Sequence, residues 1–224
     1  MVFSYCEKSG EQLIELDGES FRHIISARRS RVGEQIVFRN LKDGFEYIYE
    51  ITSIGKKSAT VAMVEKKAAK ETKTAGAKIA WCVVDPKTIE KTLPHLNELG
   101  VEEIYFIYST RSQKNFKLDF ERMEKILINS SCQCGRNDLI KMRVFKSLME
   151  FTDEIDDFCV FDFGGEIPDK DDRNKIFLIG PEGGFCDEER EFFREKSKKI
   201  LSFKTENILK SETAILAAVA FCVI

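Results

Sequence analysis

Phe177-Leu178-Ile179-Gly180-Pro181-Glu182-Gly183-Gly184-Phe185 is an apolar run that stops at a Gly-Pro-Glu-Gly-Gly turn, with Asp187-Glu188-Glu189 just beyond it. A short apolar run bounded by glycine and proline predicts a buried strand, and the acidic triplet predicts the first turn of a helix with Asp187 as its N-cap. Three glycines fall within the five positions 180–184. Glycine loses more backbone freedom on folding than any other residue, so such a turn is expected where something must approach the backbone closely. An isolated Gly-Gly could equally be a tight structural turn. No Gly-Lys-Ser/Thr follows and the string is not GxGxxG, so a phosphate cradle is not indicated. Free N–H and C=O groups at such a turn suit the polar edge of a flat heterocycle.

Upstream and downstream of this turn, strands alternate with helices. Ile79–Val84, Ile104–Tyr108, Arg143–Phe145, Phe158–Asp162 and Ile176–Ile179 read as strands. A helix carries Ile89, Leu93, Leu96 and Leu99 and ends at Gly100; others run from Asp119 to Cys134 and from Asp187 to Lys198. After a short run Ile200–Phe203 comes a last helix, with Ser211 read as its N-cap. This alternation predicts an α/β domain with a mostly parallel sheet. The glycine turn would then lie at the carboxyl end of a strand, where ligands of open α/β sheets bind.

Residues 1–66 have another rhythm. Gly10, Gly18, Gly33, Gly44 and Gly55 punctuate short runs, among them Glu34–Phe38, Tyr47–Ile51 and Ala59–Val64, with one short helix around Ser20–Ser30. That spacing predicts a small barrel or sandwich. Residues 66–77 are polar and small, and read as a linker.

Of 224 residues, 43% are hydrophobic and 33% charged, the composition of a chain that can bury a core. The net charge of −3 excludes a generally basic nucleic-acid binder. Residues 1–75 nevertheless carry 13 Lys/Arg against 11 Asp/Glu, while the remainder carries 22 against 27. A polyanion contact is therefore expected to begin in the first third. Seven cysteines without a CxxC pair, several in apolar runs, suit reduced thiols of a soluble cytoplasmic protein. With only two histidines, no metal site is expected. No apolar stretch approaches the length of a membrane span.

Paired with Ile208-Leu209-Lys210-Ser211-Glu212-Thr213-Ala214, the glycine string resembles the trefoil-knotted (SPOUT) methyltransferases, and more narrowly the bacterial 16S rRNA uridine-N3 methyltransferase family. Glu98-Leu99-Gly100-Val101 with Ile104 resembles that family's first helix-to-strand junction, and Arg111 falls in its following loop. Gln133-Cys134-Gly135-Arg136 resembles a helix end, and His23 with Arg28, Arg29, Arg31, Val32 and Gly33 an N-terminal stretch. This chain has Lys204-Thr205 and Lys210 where the family usually shows Leu-Gly and Arg.

The resemblance implies a PUA-like β-barrel over 1–68 that binds RNA, then a knotted SPOUT methyltransferase domain over 75–224 with a parallel sheet. It implies S-adenosyl-L-methionine as cofactor, bent among three loops. The residues expected there are Phe161, Phe163 and Gly164; Ile179, Gly180, Glu182, Gly183 and Gly184; and Leu201, Phe203, Ile208, Leu209 and Ser211. A homodimer acting on 16S rRNA of the small ribosomal subunit, without metal or membrane, is implied as well. Arg22, Arg28, Arg29 and Arg31 would contact RNA phosphates, positioning the strand without reading its sequence.

Uridine N3 carries a proton, so its methylation needs a base or positive charge that stabilises the uridinate. With two weakly placed histidines, Arg136, Arg111 and Lys210 are the expected groups. Two other readings stay open: a non-catalytic ribosome- or RNA-binding module, and a SPOUT enzyme acting on a different base. A nucleotide-dependent enzyme is disfavoured by the missing phosphate-loop lysine.

Overall fold

The computed structural model describes residues 2–70 and 76–223. The chain divides into two compact units, Met1–Thr72 with Ile128–Leu139, and Lys73–Leu127 with Ile140–Ile224. Of the expected linker, residues 66–68 end a strand and 71–75 lie outside the described residues.

The first unit contains β1 (Ser4–Tyr5), β2 (Leu13–Leu16), α1 (Gly18–Phe21) continuing into a π-helical turn Arg22–Ser26, β3 (Gln35–Arg39), β4 (Phe45–Ile54) and β5 (Ala59–Ala68). The strands form one curled sheet in the order β1-β3-β4-β5-β2, antiparallel except where β1 joins β3. Two register shifts between β4 and β5 sharpen its bend. Period-two alternation puts Ile36 and Phe38, Tyr49 and Ile51, and Ile14 and Leu16 on one face, where Ile24 and Ile25 of the helical turn close over them. The strands β1 and β2, of two and four residues, are too short to show a period and escaped the sequence reading.

The second unit alternates β6 (Lys78–Cys82), α2 (Pro86–Glu98), β7 (Glu103–Ile107), α3 (Phe120–Cys134), β8 (Lys141–Phe145), α4 (Leu148–Glu154), β9 (Phe158–Glu166), β10 (Ile176–Ile179), α5 (Asp187–Glu195), β11 (Ile200–Leu201) and α6 (Ser211–Val223). Helix α3 contributes its last turns, from Ile128, to the first unit. The sheet is parallel throughout, in the order β11-β9-β10-β6-β7-β8. Both of its faces are covered, as a parallel sheet requires. Ala80, Cys82, Tyr105, Ile107, Val160 and Leu178 pack with Leu148 and Phe151 of α4 and Phe193 of α5. The alternate residues Ile79, Trp81, Ile104, Phe106 and Phe177 are equally buried.

Helix starts follow local chemistry, with two corrections to expectation. Asp85 caps α2, its carboxylate accepting the Lys87 N–H, with Pro86 in the first turn. The N-cap of α5 is Cys186, not Asp187, and Glu189 reaches back to accept the Cys186 N–H at 2.9 Å. Ser211 does not act as an N-cap. It is the first residue of α6, and its hydroxyl accepts the Trp81 Nε1–H at 2.8 Å and donates to the Gly180 carbonyl at 2.7 Å. Helix α4 was not foreseen, although Ser147 followed by Glu150 is a capping signature and the Ser147 hydroxyl accepts the Glu150 N–H.

Ser211 and Trp81 are 5% and 0% exposed. Ser211→Ala leaves a buried indole N–H without its acceptor and a carbonyl without its donor, at a cost of about 1–3 kcal/mol. Equilibrium denaturation in urea is expected to show that loss with an unchanged m-value.

Candidate functional site: a cavity at the carboxyl ends of β9 and β10

The strand order reverses direction between β6 and the β9–β10 pair: β7 and β8 extend one side, and the chain then returns to build the other. Such a switch point leaves a crevice at the carboxyl ends of the strands. Here it opens as a cavity of about 630 Å³, within the usual range of small-molecule sites. Three chain segments wall it.

The first wall is a bulge in β9. Val160 pairs with Ile200 and Glu166 with Leu201, so residues 161–165 loop out between two adjacent rungs. Gly164 takes a positive φ of 73°, which lets the loop turn back. A Cβ on Gly165 would lie 2.6 Å from the Leu201 backbone carbon, so only glycine permits this approach of β9 to β11. Phe161, Asp162, Phe163 and Gly164 face the cavity.

The glycine turn is the second wall, supplying Ile179 through Phe185. It closes through the Gly184 N–H bonded to the Pro181 carbonyl, with Gly184 at φ 65°. Arg111, in the loop after β7, donates from Nη1 to the Gly183 carbonyl at 2.5 Å. The guanidinium thus meets the outside of the turn and is absent from the cavity lining.

Residues 202–209 make the third wall, contributing Ser202, Phe203, Thr205, Glu206, Asn207, Ile208 and Leu209. Ser202 bonds to the Gly165 carbonyl through its hydroxyl and to the Glu166 carbonyl through its N–H, both at 2.8 Å. Phe203 stacks on Phe161 with ring centroids 4.5 Å apart. Ser211 and Ala214 of α6 complete the lining.

Twelve of the thirteen residues expected at a cofactor line this one cavity; Leu201 is fully buried in β11, behind the wall. Asp162, Pro181, Phe185, Ser202, Thr205, Glu206, Asn207 and Ala214 were missed. Asp162, Pro181, Phe185, Ser202 and Asn207 each sit beside a residue that was named, whereas Thr205, Glu206 and Ala214 lie within the same segments but adjoin none. Asp162 is held by Arg190, whose Nε approaches one carboxylate oxygen at 2.6 Å and Nη2 the other at 3.3 Å. This contact pushes the Arg190 pKa upward.

The expected cationic residues fall in both units. Lys210 is exposed just before α6, and its carbonyl accepts the Ala214 N–H. Arg136 belongs to the first unit, 3% exposed, with Nε 2.8 Å from an Asp138 oxygen. Arg22, Arg28, Arg29 and Arg31, in the same unit, are exposed; Arg28 donates to the Ser4 hydroxyl and Arg29 sits at φ 56°. All seven cysteines are free thiols, and burial pushes the Cys82 thiol well up. Among the described residues no helix is long and apolar enough to cross a membrane, and no acidic, His or Cys cluster could hold a metal.

A parallel sheet with a cofactor-sized cavity at its switch point, preceded by a curled sheet, is the architecture of SPOUT RNA methyltransferases with a PUA domain. Residues 70–223 match a family model described as an RNA methyltransferase domain, and residues 16–64 one described as an RNA methyltransferase PUA domain; the chain belongs to this family. A ribosomal RNA small subunit methyltransferase E from Helicobacter pylori is 38% identical over 218 residues, covering 96% of either chain. Its namesake from Aquifex aeolicus is 26% identical over 230 residues, covering 98% of this chain and 97% of its own. A putative methyltransferase from Legionella pneumophila, solved in complex with the bound cofactor SAM, aligns with a TM-score of 0.77 at 26% identity, covering 99% and 95%. A probable rRNA-methyltransferase structure from Porphyromonas gingivalis gives 0.80 at 22% identity, covering 99% and 96%, a likeness of fold alone.

Gly165→Ala places a methyl group against the Ile200–Leu201 backbone of β11 and must push the strand away. The expected results are a loss of stability of about 1–3 kcal/mol and faster amide exchange at Ser202, read by denaturation and hydrogen-exchange mass spectrometry.

Proposed function

We propose that this protein transfers a methyl group from S-adenosylmethionine to N3 of a uridine in 16S ribosomal RNA, in the cytoplasm and as a homodimer. The observation that carries the reading is the cavity formed jointly by the β9 bulge, the glycine turn and residues 202–209 in a chain of the RNA methyltransferase family.

The lining fits the cofactor's chemistry. Ile179, Ile208, Leu209 and the Phe161–Phe203 stack offer apolar surface to a flat heterocycle, and the turn offers backbone groups to its polar edge. Glu182 and Glu206 of the lining offer carboxylates to an ammonium or sulfonium charge, whereas the Asp162 carboxylate is already paired with Arg190. The bound cofactor supplies an electrophilic methyl carbon on a sulfonium. The protein's own part is to hold the base in line and to stabilise the negative charge on N3.

We assign that second task to positive charge from Arg136, Arg111 and Lys210. Arg136 is held by Asp138 and Arg111 by the Gly183 carbonyl, so this role requires each guanidinium to exchange that partner for the base. Arg22, Arg28, Arg29 and Arg31 are the proposed phosphate contacts of the RNA-binding domain, placed at 1–68, and 75–224 is the proposed catalytic domain. Two apolar side chains at the cavity, Phe163 and Ile208, are 67% and 80% exposed. Their exposure supports a second subunit covering the mouth. A knotted C-terminal segment belongs to the same reading and rests on the family resemblance.

Titration calorimetry is expected to show binding of S-adenosylmethionine, and thermal shift no protection by ATP; the reverse pattern would return the protein to the nucleotide-dependent class. Mass spectrometry of 16S rRNA from a strain lacking the protein should show one uridine without its N3 methyl group. Unchanged rRNA would exclude this substrate, and loss at another base would move the reaction to that base. Arg136→Ala is expected to lower the turnover rate by about 10²-fold or more while cofactor affinity stays nearly constant; an equal loss of both would point to a structural role.

A further inference from the structure

Helix α5 carries two adjacent charged residues that reach different walls of the cavity without lining it. Glu189 is 7% exposed, and both of its oxygens are engaged. Oε1 accepts the Thr110 N–H at 2.8 Å in the loop after β7, and Oε2 accepts the Cys186 N–H at 2.9 Å where the glycine turn enters the helix. The second contact is the ordinary half of a capping box. The first is not: it ties the start of α5 to a loop 79 positions earlier in the chain. Arg111, next to Thr110, bonds in turn to the Gly183 carbonyl.

Arg190 points to the β9 bulge. Its fork grips both oxygens of Asp162, whose side chain is 7% exposed, in the two-pronged geometry that a lysine cannot reproduce. A Cβ on Gly184 would lie 3.8 Å from Arg190 Nη2, so the guanidinium passes directly by the glycine turn on its way to the bulge. The bulge holds the third wall through the Ser202 hydrogen bonds and the Phe161–Phe203 stack.

We infer that Glu189 and Arg190 are positioning residues that fix the β7 loop, the glycine turn and the β9 bulge in one arrangement and so preorganise the cavity. Loops held in their binding geometry before a ligand arrives lose less entropy when it binds. The consequence for cofactor affinity rests on the reading of this cavity as the S-adenosylmethionine site; the consequence for loop order does not.

Two variants of the full chain test it, Glu189→Gln, which replaces one acceptor oxygen by an N–H₂ donor, and Arg190→Lys, which keeps the charge and loses the fork. In ligand-free protein, hydrogen exchange is expected to accelerate about tenfold at 109–112 and 183–186 in the first variant and at 161–165 and 202–203 in the second, with β6, β7 and β10 unchanged. Cofactor Kd, and KM for the cofactor, should rise about tenfold while KM for the small ribosomal subunit moves less than twofold. Loops that exchange as in the wild type overturn the inference. So does acceleration spread evenly over the whole sheet, which marks a merely structural role. If the wild-type protein itself fails to bind S-adenosylmethionine, the functional reading falls, and the exchange pattern alone then decides the positioning role.

Discussion

The hydroxyl of Ser211 is the hinge pin of the second unit. A fully buried indole N–H must find an acceptor, and the half-buried carbonyl that opens the glycine turn must find a donor. Only a group that accepts and donates at once can serve both, and a serine hydroxyl at the start of α6 does so. Three elements distant in sequence are thereby set to within a hydrogen bond of one another: β6 through Trp81, the glycine turn through Gly180, and α6 through its first residue. Without that relay the apolar α6 could slide along the sheet, since its packing surface of Ile215, Ala218 and Val219 has little directional preference of its own.

The cavity follows from strand order more than from any one side chain. Because β10 is inserted between β9 and β6 after the opposite side of the sheet is built, the loops beyond β9 and β10 diverge and leave space. Glycine then decides how close the walls may come. Gly165 allows β9 and β11 backbones to touch, and Gly184 lets the turn reverse. Arg111 and Glu189 are engaged with backbone, and Arg190 with Asp162, so the walls are braced from behind while the lining presents apolar surface and the carboxylates of Glu182 and Glu206.

Much of this was legible in the sequence, and the exceptions have physical causes. All strands but the short β1 and β2 announced themselves by alternation or by apolar runs, and the glycine turn with the Ser211 segment pointed to the cavity's walls. What could not be read were contacts between residues far apart in the chain, such as Trp81 with Ser211 or Glu189 with Thr110, because no periodicity encodes them. Ser211 looked like a cap because serine before an apolar helix usually is one; tertiary demand redirected its hydroxyl. Leu201 was named for its place in the third segment, yet strand pairing with β9 turns it inward. The grouping of residues 128–139 with the first unit also escaped, since a helix shows no break where it passes from one body to another.

The sheet's two edges have a further consequence. An open sheet presents unpaired backbone groups along its outer strands, an invitation to another chain to add itself and begin a fibre. Here one edge is β11, two residues long, and the other is β8, where Lys141 and Arg143 are exposed. An incoming strand meets a ladder of two rungs on one side and cations on the other. The same brevity of β11 that frees residues 202–209 to wall the cavity therefore also protects the protein from polymerising through its own backbone.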